Sequence, residues 1–551
     1  MTANEDQQRP SVRPSVRGRK AVREVIDLQR RIFERQRELI ESSEAHQTPG
    51  FAEYRREYCE AVSDYVEESG FGALCDAISR ARVAFVADYH TLRLAQKTFV
   101  KIIRGVMHQV DSLCLALEFV GAEEQIHLDR FLRGEVAERT FLRLIRYREN
   151  WPYDIWPNFA PIFELAAEQG MPAVAIDSDS ELPLPERDRL AAERIAEAAE
   201  DYPDAVILVY TGQMHVAPKH LPAAVQREFV ARGMKAPRSV MVYQNAEEIY
   251  WQLAAEGREE VEVVRVGPDA YCVNNTPPLV QQLSYLHWIH YDEELIEYTE
   301  LESTVRSLIR DLLRYFDFQQ VRAARGVRVM MVADLDLMDV LEDSDLDEAE
   351  KQAFIRKVEA EQSAYLPELN TIYLATLSVN HAAEEAAHFV KQQLSGGRPP
   401  SGAADFFYYI ALNEACAFFG SKLINPKRKA DHQGRLRSTV ARARKRGEWT
   451  AEERAARFAL GHMYWERRRH AAEEGPGHGE DLADEEVFNA AAHLLGYALG
   501  DRMFYALTVG LLSKSRIREL FRDALDEPGR ALEVYLDLSD SLKRVRIPRR
   551  I

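Results

Sequence analysis

Two imidazoles and one carboxylate stand out in this chain because each follows a short apolar run. Val83 to Ala87 leads into Asp88-Tyr89-His90, Leu113 to Phe119 ends in Leu117-Glu118-Phe119, and Ala205 to Tyr210 leads into Thr211-Gly212-Gln213-Met214-His215. Two histidines and a glutamate can bind a transition metal and leave a position open for water. They can equally form an acid–base pair with an orienting carboxylate. One histidine after such a run is usually a turn or core residue, whereas three polar residues at three run ends argue for a shared site. Glu118 follows mostly apolar residues, and a buried carboxylate is costly unless paired, so a partner is expected beside it.

The elements that must position these residues are legible as texture. The three runs, together with Ala173 to Ile176, are strand-length and continuously apolar, as strands buried on both faces are. Helix-like segments such as Leu92 to Met107 and Ile155 to Gln169 alternate with them, which predicts βαβ units. The expected fold is an α/β N-terminal domain with a mostly parallel sheet flanked by helices. Ligands of such sheets bind beyond the carboxyl ends of the strands, where the three polar residues fall. Val261 to Val266 and Ala270 to Asn274, joined by Gly267-Pro268-Asp269, read as a closing hairpin, and Asn274 to Pro278 as a domain boundary.

The order of motifs resembles the ChaN-type haem-binding proteins, which share a superfamily with the Tiki metalloproteases and erythromycin esterases. The likeness rests on His90 after the first run, Leu117-Glu118 after the second, Trp151-Pro152-Tyr153 before a helix, and Gly212-x-x-His215 after a later run. It covers residues 70 to 275 approximately. It implies a site of His90, Glu118 and His215, with Asp88 and Tyr153 close by, for haem or a divalent transition metal. The family's usual Gly-Glu-x-His appears here as Ala87-Asp88-Tyr89-His90, and Asp177 stands where an Asn is common. The resemblance thus implies a haem- or metal-binding protein with a small-molecule ligand. Its alternatives are a metal-dependent esterase or peptidase using the same three residues as catalytic groups, and an interaction protein with vestigial sites.

A second constellation lies downstream. On a helix-like segment from Ser378 to Gln393, His381, Glu385 and His388 recur at i, i+4 and i+7, which places them on one stripe beside Glu384. Asn413-Glu414-Ala415 follows one helix later. The set faintly resembles a gluzincin metallopeptidase in which the expected H-E-x-x-H reads Glu384-Glu385-Ala386-Ala387-His388. Glu384, Glu385, His388 and Glu414 are therefore a second metal-site expectation, with Glu385 the only suitable general base, against a degenerate peptidase-like fold or an ordinary charged helix. His493, Phe407, Tyr408 and Tyr409 read as packing residues.

With 551 residues the chain is long enough for several cores. The expected division is a polar, disordered segment 1–20, the α/β domain with leading helices over 21–280, and a mainly helical domain with few strands over 281–551. Val22 to Ile40 has the spacing of an amphipathic helix, which must dock or serve as a dimerisation arm, so a homodimer is weighed. A net charge of -18 argues against nucleic acid as a partner. The basic stretches Lys427 to Arg446 and Lys543 to Arg550 lack interleaved aromatics and read as solvated surface. Glu473 to Glu486 reads as an exposed loop. Five scattered cysteines, without C-x-x-C spacing, fit a reduced compartment. No leader or membrane-length apolar run is evident, and a cytoplasmic location is expected.

Overall fold

A computed structural model describes residues 16–42, 50–151, 154–291, 293–318, 326–431, 433–468 and 483–547. The expected loop Glu473 to Glu486 lies outside these residues as far as position 482, as does most of the polar N-terminal segment. The chain forms two compact units, one of residues 1–291 with 332–343 and one of residues 292–331 with 344–551.

The first unit is built on eight strands: β1 Glu67–Ser69, β2 Val83–Asp88, β3 Leu113–Gly121, β4 Ala173–Asp177, β5 Val206–Gly212, β6 Ser239–Gln244, β7 Val263–Gly267 and β8 Ala270–Val273. Their order is β1-β7-β8-β6-β2-β5-β3-β4, parallel from β8 to β4 and antiparallel at β1, β7 and β8. The mostly parallel α/β architecture is the one the apolar runs predict. β1 and β6 were not among the expected strands. The sheet supplies β6 with neighbours on both sides and buries its Val240 and Val242.

The runs are continuous because both faces of the sheet are covered. Ala84 and Val86 of β2 point into one apolar layer with Phe99, Ile103 and Phe163. Val83, Phe85 and Ala87 point into the other with Ile195, Val225 and Phe229. The strand period of two therefore selects which helices each residue meets, not buried against exposed.

The leading helix Val16–Glu41 starts earlier than the expected disorder allows. It docks within this unit, burying Val25, Leu28, Ile32 and Phe33, with the Phe33 ring edge-on to Trp251 at 5.2 Å. Gln29, fully buried, donates from Nε2 to the Val332 carbonyl (2.8 Å), which explains a polar residue in the stripe. Leu39, placed in the stripe by its spacing, is exposed instead.

The second unit is mainly helical, with one small sheet of Arg328–Met330, Ala364–Leu366 and Thr371–Tyr373. Its centre packs the helices Val379–Ser395, Ala403–Ile424 and Glu485–Thr508. Gly496 and Gly500 permit this contact, since a Cβ on either would lie 2.5 Å from the carbonyl of Ala411 or Ala415. Among the described residues no helix is long and apolar enough to cross a membrane.

Candidate functional site

Register assembles the site. Asp88 at the end of β2 pairs with Gly212 at the end of β5, and Leu117 of β3 pairs with Tyr210, so Glu118 comes level with Thr211. The three run ends thereby share one rim. A Cβ built on Gly212 would stand 3.5 Å from Glu118 Oε2, 3.6 Å from His215 Cδ2 and 3.7 Å from His90 Nε2. His90, Glu118 and His215 thus converge on a single point, which glycine leaves open.

Each imidazole is held by an aspartate. His90 Nδ1 lies 2.6 Å from Asp88 Oδ2, and Asp88 also accepts from Gln96 Nε2 and the Tyr210 hydroxyl, both at 2.6 Å. His215 Nδ1 lies 2.6 Å from Asp188 Oδ1, while the Tyr54 hydroxyl donates to the other Asp188 oxygen. A carboxylate only accepts, so both rings carry a proton on Nδ1 and, when neutral, present Nε2 as a lone pair. The Tyr54 ring stacks on His220 with centroids 3.5 Å apart, and His220 bonds Glu57 through Nε2 at 3.0 Å. Trp151 meets the His90 ring edge-on at 4.9 Å.

Glu118 has the partners its burial demands. Oε2 accepts from Thr211 Oγ1 (2.9 Å) and the Gly212 N–H (2.5 Å). Oε1 accepts from Arg187 (3.0 Å), which also bonds Asp177 at 2.9 Å, and lies 3.6 Å from His215 Nε2. Burial alone would raise the Glu118 carboxyl, but His215, Arg187 and His90 bring it down to about 2. Asp177, buried beside that negative charge, is pushed up to about 6. Burial works against charging His90 and His215, yet the facing carboxylates win and raise both. A cavity of about 10 Å³, roughly one water's worth, opens among Glu118, Asp177, Arg187, Asp188, Thr211 and His215.

Among the described residues no group of three His, Cys, Asp or Glu side chains is disposed to hold a metal ion. At His90, Glu118 and His215, both Glu118 oxygens are engaged and a guanidinium sits against the carboxylate. Tyr153 lies outside the described residues.

In the second unit Arg428 bonds Glu384 at 2.8 Å, so the position that would supply the first metal ligand is neutralised internally. Arg428, read from sequence as solvated surface, is instead largely buried. Glu414 accepts from His493 Nδ1 at 3.0 Å and lies 3.7 Å from His388 Nε2, which gives His493 an ion-pair role beside its packing. Burial, with Glu414 and Glu384 near, raises the Glu385 carboxyl well above its ordinary value. Burial lowers His388.

Arg187, Asp188, Tyr54, Gln96 and Tyr210 were not singled out by sequence. Arg187 and Asp188 open the helix Leu184–Asp201 that follows β4, so the strand-end rule, extended into the next helix turn, would have reached them. Tyr54 enters from the helix Phe51–Ala61, ahead of the sheet, and no local signal marks it.

The sheet and rim define a doubly covered α/β domain with an acid–imidazole site at its strand ends. Residues 74–183 match the family model described as haem-binding uptake, Tiki superfamily, ChaN, so this unit carries a ChaN-like domain. His90 and Glu118 lie inside the matched span, and Arg187, Asp188 and His215 beyond it. No curated protein and no solved structure matches the chain.

Proposed function

We propose that the N-terminal domain binds haem, with Nε2 of His90 as the ligand to iron. The observation that carries this reading is the anchored His90 ring. Asp88 takes the Nδ1 proton, Gln96 and Tyr210 fix Asp88, and the His90 side chain keeps 32% of its surface exposed. Metal-bound histidines characteristically donate their other ring N–H to such an acceptor, which sets the tautomer and raises ligand basicity. Trp151, edge-on to the ring and partly exposed, offers apolar surface suited to a porphyrin. Haem, when bound, would be held through Nε2 of His90 and would supply a redox-active iron. A haemin titration tests this: the Soret band should shift with the wild-type protein and fail to shift with His90→Ala. An unshifted wild-type spectrum would remove haem from consideration.

A second reading, acid–base hydrolysis, is favoured by the water-sized cavity beside His215. There Nε2 of His215 could take a proton from water while Asp188 steadies the imidazolium, with Glu118 and Arg187 completing a polar wall. A panel of esters and peptides checks it, with loss of turnover in His215→Ala as the expected result. Wild-type protein inert across the panel would count against hydrolysis and leave haem binding standing.

A further inference from the structure

A second concavity in the N-terminal unit, a cleft of about 970 Å³, lies between the helix Glu138–Leu144 and the start of the helix Trp156–Gln169. Its volume is at the upper end of the small-molecule range. Four guanidiniums line it: Arg139, Arg143, Arg146 and Arg148. Arg146 lies 3.5 Å from Glu124, and Arg148 is bonded to Asp154 at 3.2 Å. Arg139 and Arg143 have no carboxylate partner among the described residues. They stand four apart on one helix, hence on the same face. The acidic lining residues are Glu138, Glu149 and Asp154, and Asp154 is already occupied by Arg148 and the Tyr147 hydroxyl.

Unpaired arginines in a concave site are suited to carboxylates or phosphates, because the planar guanidinium fork matches both bidentately. The floor of the cleft also connects to the site above. Tyr147 and Trp156 contact the Phe119 ring at 5.8 and 5.6 Å, Phe119 stacks on Trp151 at 5.3 Å, and Trp151 meets His90. The rings of Tyr147 or Trp156, then Phe119, then Trp151 therefore run in succession from the cleft to the His90 ring.

We propose that this cleft is an anion subsite, in which Arg139 and Arg143 hold the carboxylates or phosphates of the domain's ligand. The carboxylate form rests on the haem reading, since haem bears two propionates; the phosphate form does not.

The two sources are distinguished by titrating the full chain with haemin, with haemin dimethyl ester, and with inorganic pyrophosphate, each against wild type and Arg139→Glu/Arg143→Glu. Both arginines are exposed, and an unchanged far-ultraviolet circular dichroism spectrum and melting temperature would show that the fold is kept. For tetrapyrrole carboxylates, wild type should prefer haemin to its ester by at least tenfold, and the variant should lose that preference. For phosphate, pyrophosphate should bind wild type at least tenfold more tightly than the variant. Should the variant match wild type in both arms, the subsite is overturned. If neither porphyrin binds wild type, the haem reading fails by itself, and the pyrophosphate arm still decides the arginines.

Discussion

His215 and Asp188 form a buried imidazole–carboxylate pair, Nδ1 to Oδ1 at 2.6 Å, on elements that only the folded chain brings together. Burial opposes charge on the ring, but Glu118 and Asp188 overcome it and raise the imidazole above its ordinary 6.5. A raised histidine stabilises most below its unfolded value and loses that contribution as pH rises through its folded value. Asp188→Asn should therefore lower the His215 titration midpoint seen by NMR. It should also flatten the loss of stability above pH 6.5. The variant should cost about 1–3 kcal/mol in urea unfolding below that pH, since Tyr54 and His215 both lose a charged acceptor. An unmoved His215 midpoint would contradict the pairing.

Gly212→Ala separates the cradle from the fold. The backbone of Gly212 is at φ −50° and ψ 140°, open to any residue, and the added methyl would be in ordinary contact with Glu118, His215 and His90. Stability should stay within about 0.5 kcal/mol of wild type. Ligand binding at the rim, followed by the haemin titration or by turnover, should weaken at least tenfold because the methyl occupies the point on which the three side chains converge. Retained binding would place the ligand elsewhere.

Glu118→Gln should be far more costly, because Arg187 and two imidazoles then face a neutral amide. Breaking a buried pair from one side typically costs about 3–5 kcal/mol. The carboxyl of Glu118 is held at about 2 against an ordinary 4.5, so its contribution is present above 4.5 and vanishes as pH falls toward 2. Wild type and variant should therefore converge in stability over that acid range, measured by chemical denaturation. Asp177, held at about 6 partly by the Glu118 charge, should titrate lower in the variant.

Much of this was written into short-range pattern. Runs such as Val83 to Ala87 specify buried strands because both neighbouring layers are apolar, and the strand-end rule then places His90, Glu118 and His215 on one rim. The local pattern could not specify which oxygen of Glu118 would meet Arg187, since that depends on the orientation of a helix one crossover later. Tyr54 was still less legible, because a tyrosine on an amphipathic helix looks the same whether it packs or caps an aspartate. The partner of Glu384 was illegible for a related reason: the spacing of Glu384 and His388 is local, whereas Arg428, which pairs with Glu384, is distant in sequence.

Glu385 gives the helical unit its own test. The side chain is buried, and Glu414 and Glu384 add to that burial in keeping the carboxyl protonated far above its ordinary 4.5. A raised carboxyl gives its full contribution below its unfolded value, and folding grows costlier as pH rises from 4.5 toward the folded value, by roughly 1.4 kcal/mol per pH unit. Glutamine keeps the shape without that proton uptake. Glu385→Gln should therefore equal wild type near pH 4.5 and become the more stable of the two as pH climbs through neutrality. Glu414 behaves oppositely: held at about 2 by His493 and His388, it is ionised at neutral pH, so Glu414→Gln should destabilise there. Guanidinium unfolding of both variants at two pH values decides the matter, and a Glu385→Gln protein weaker than wild type at neutral pH would show that this carboxyl carries a charge after all.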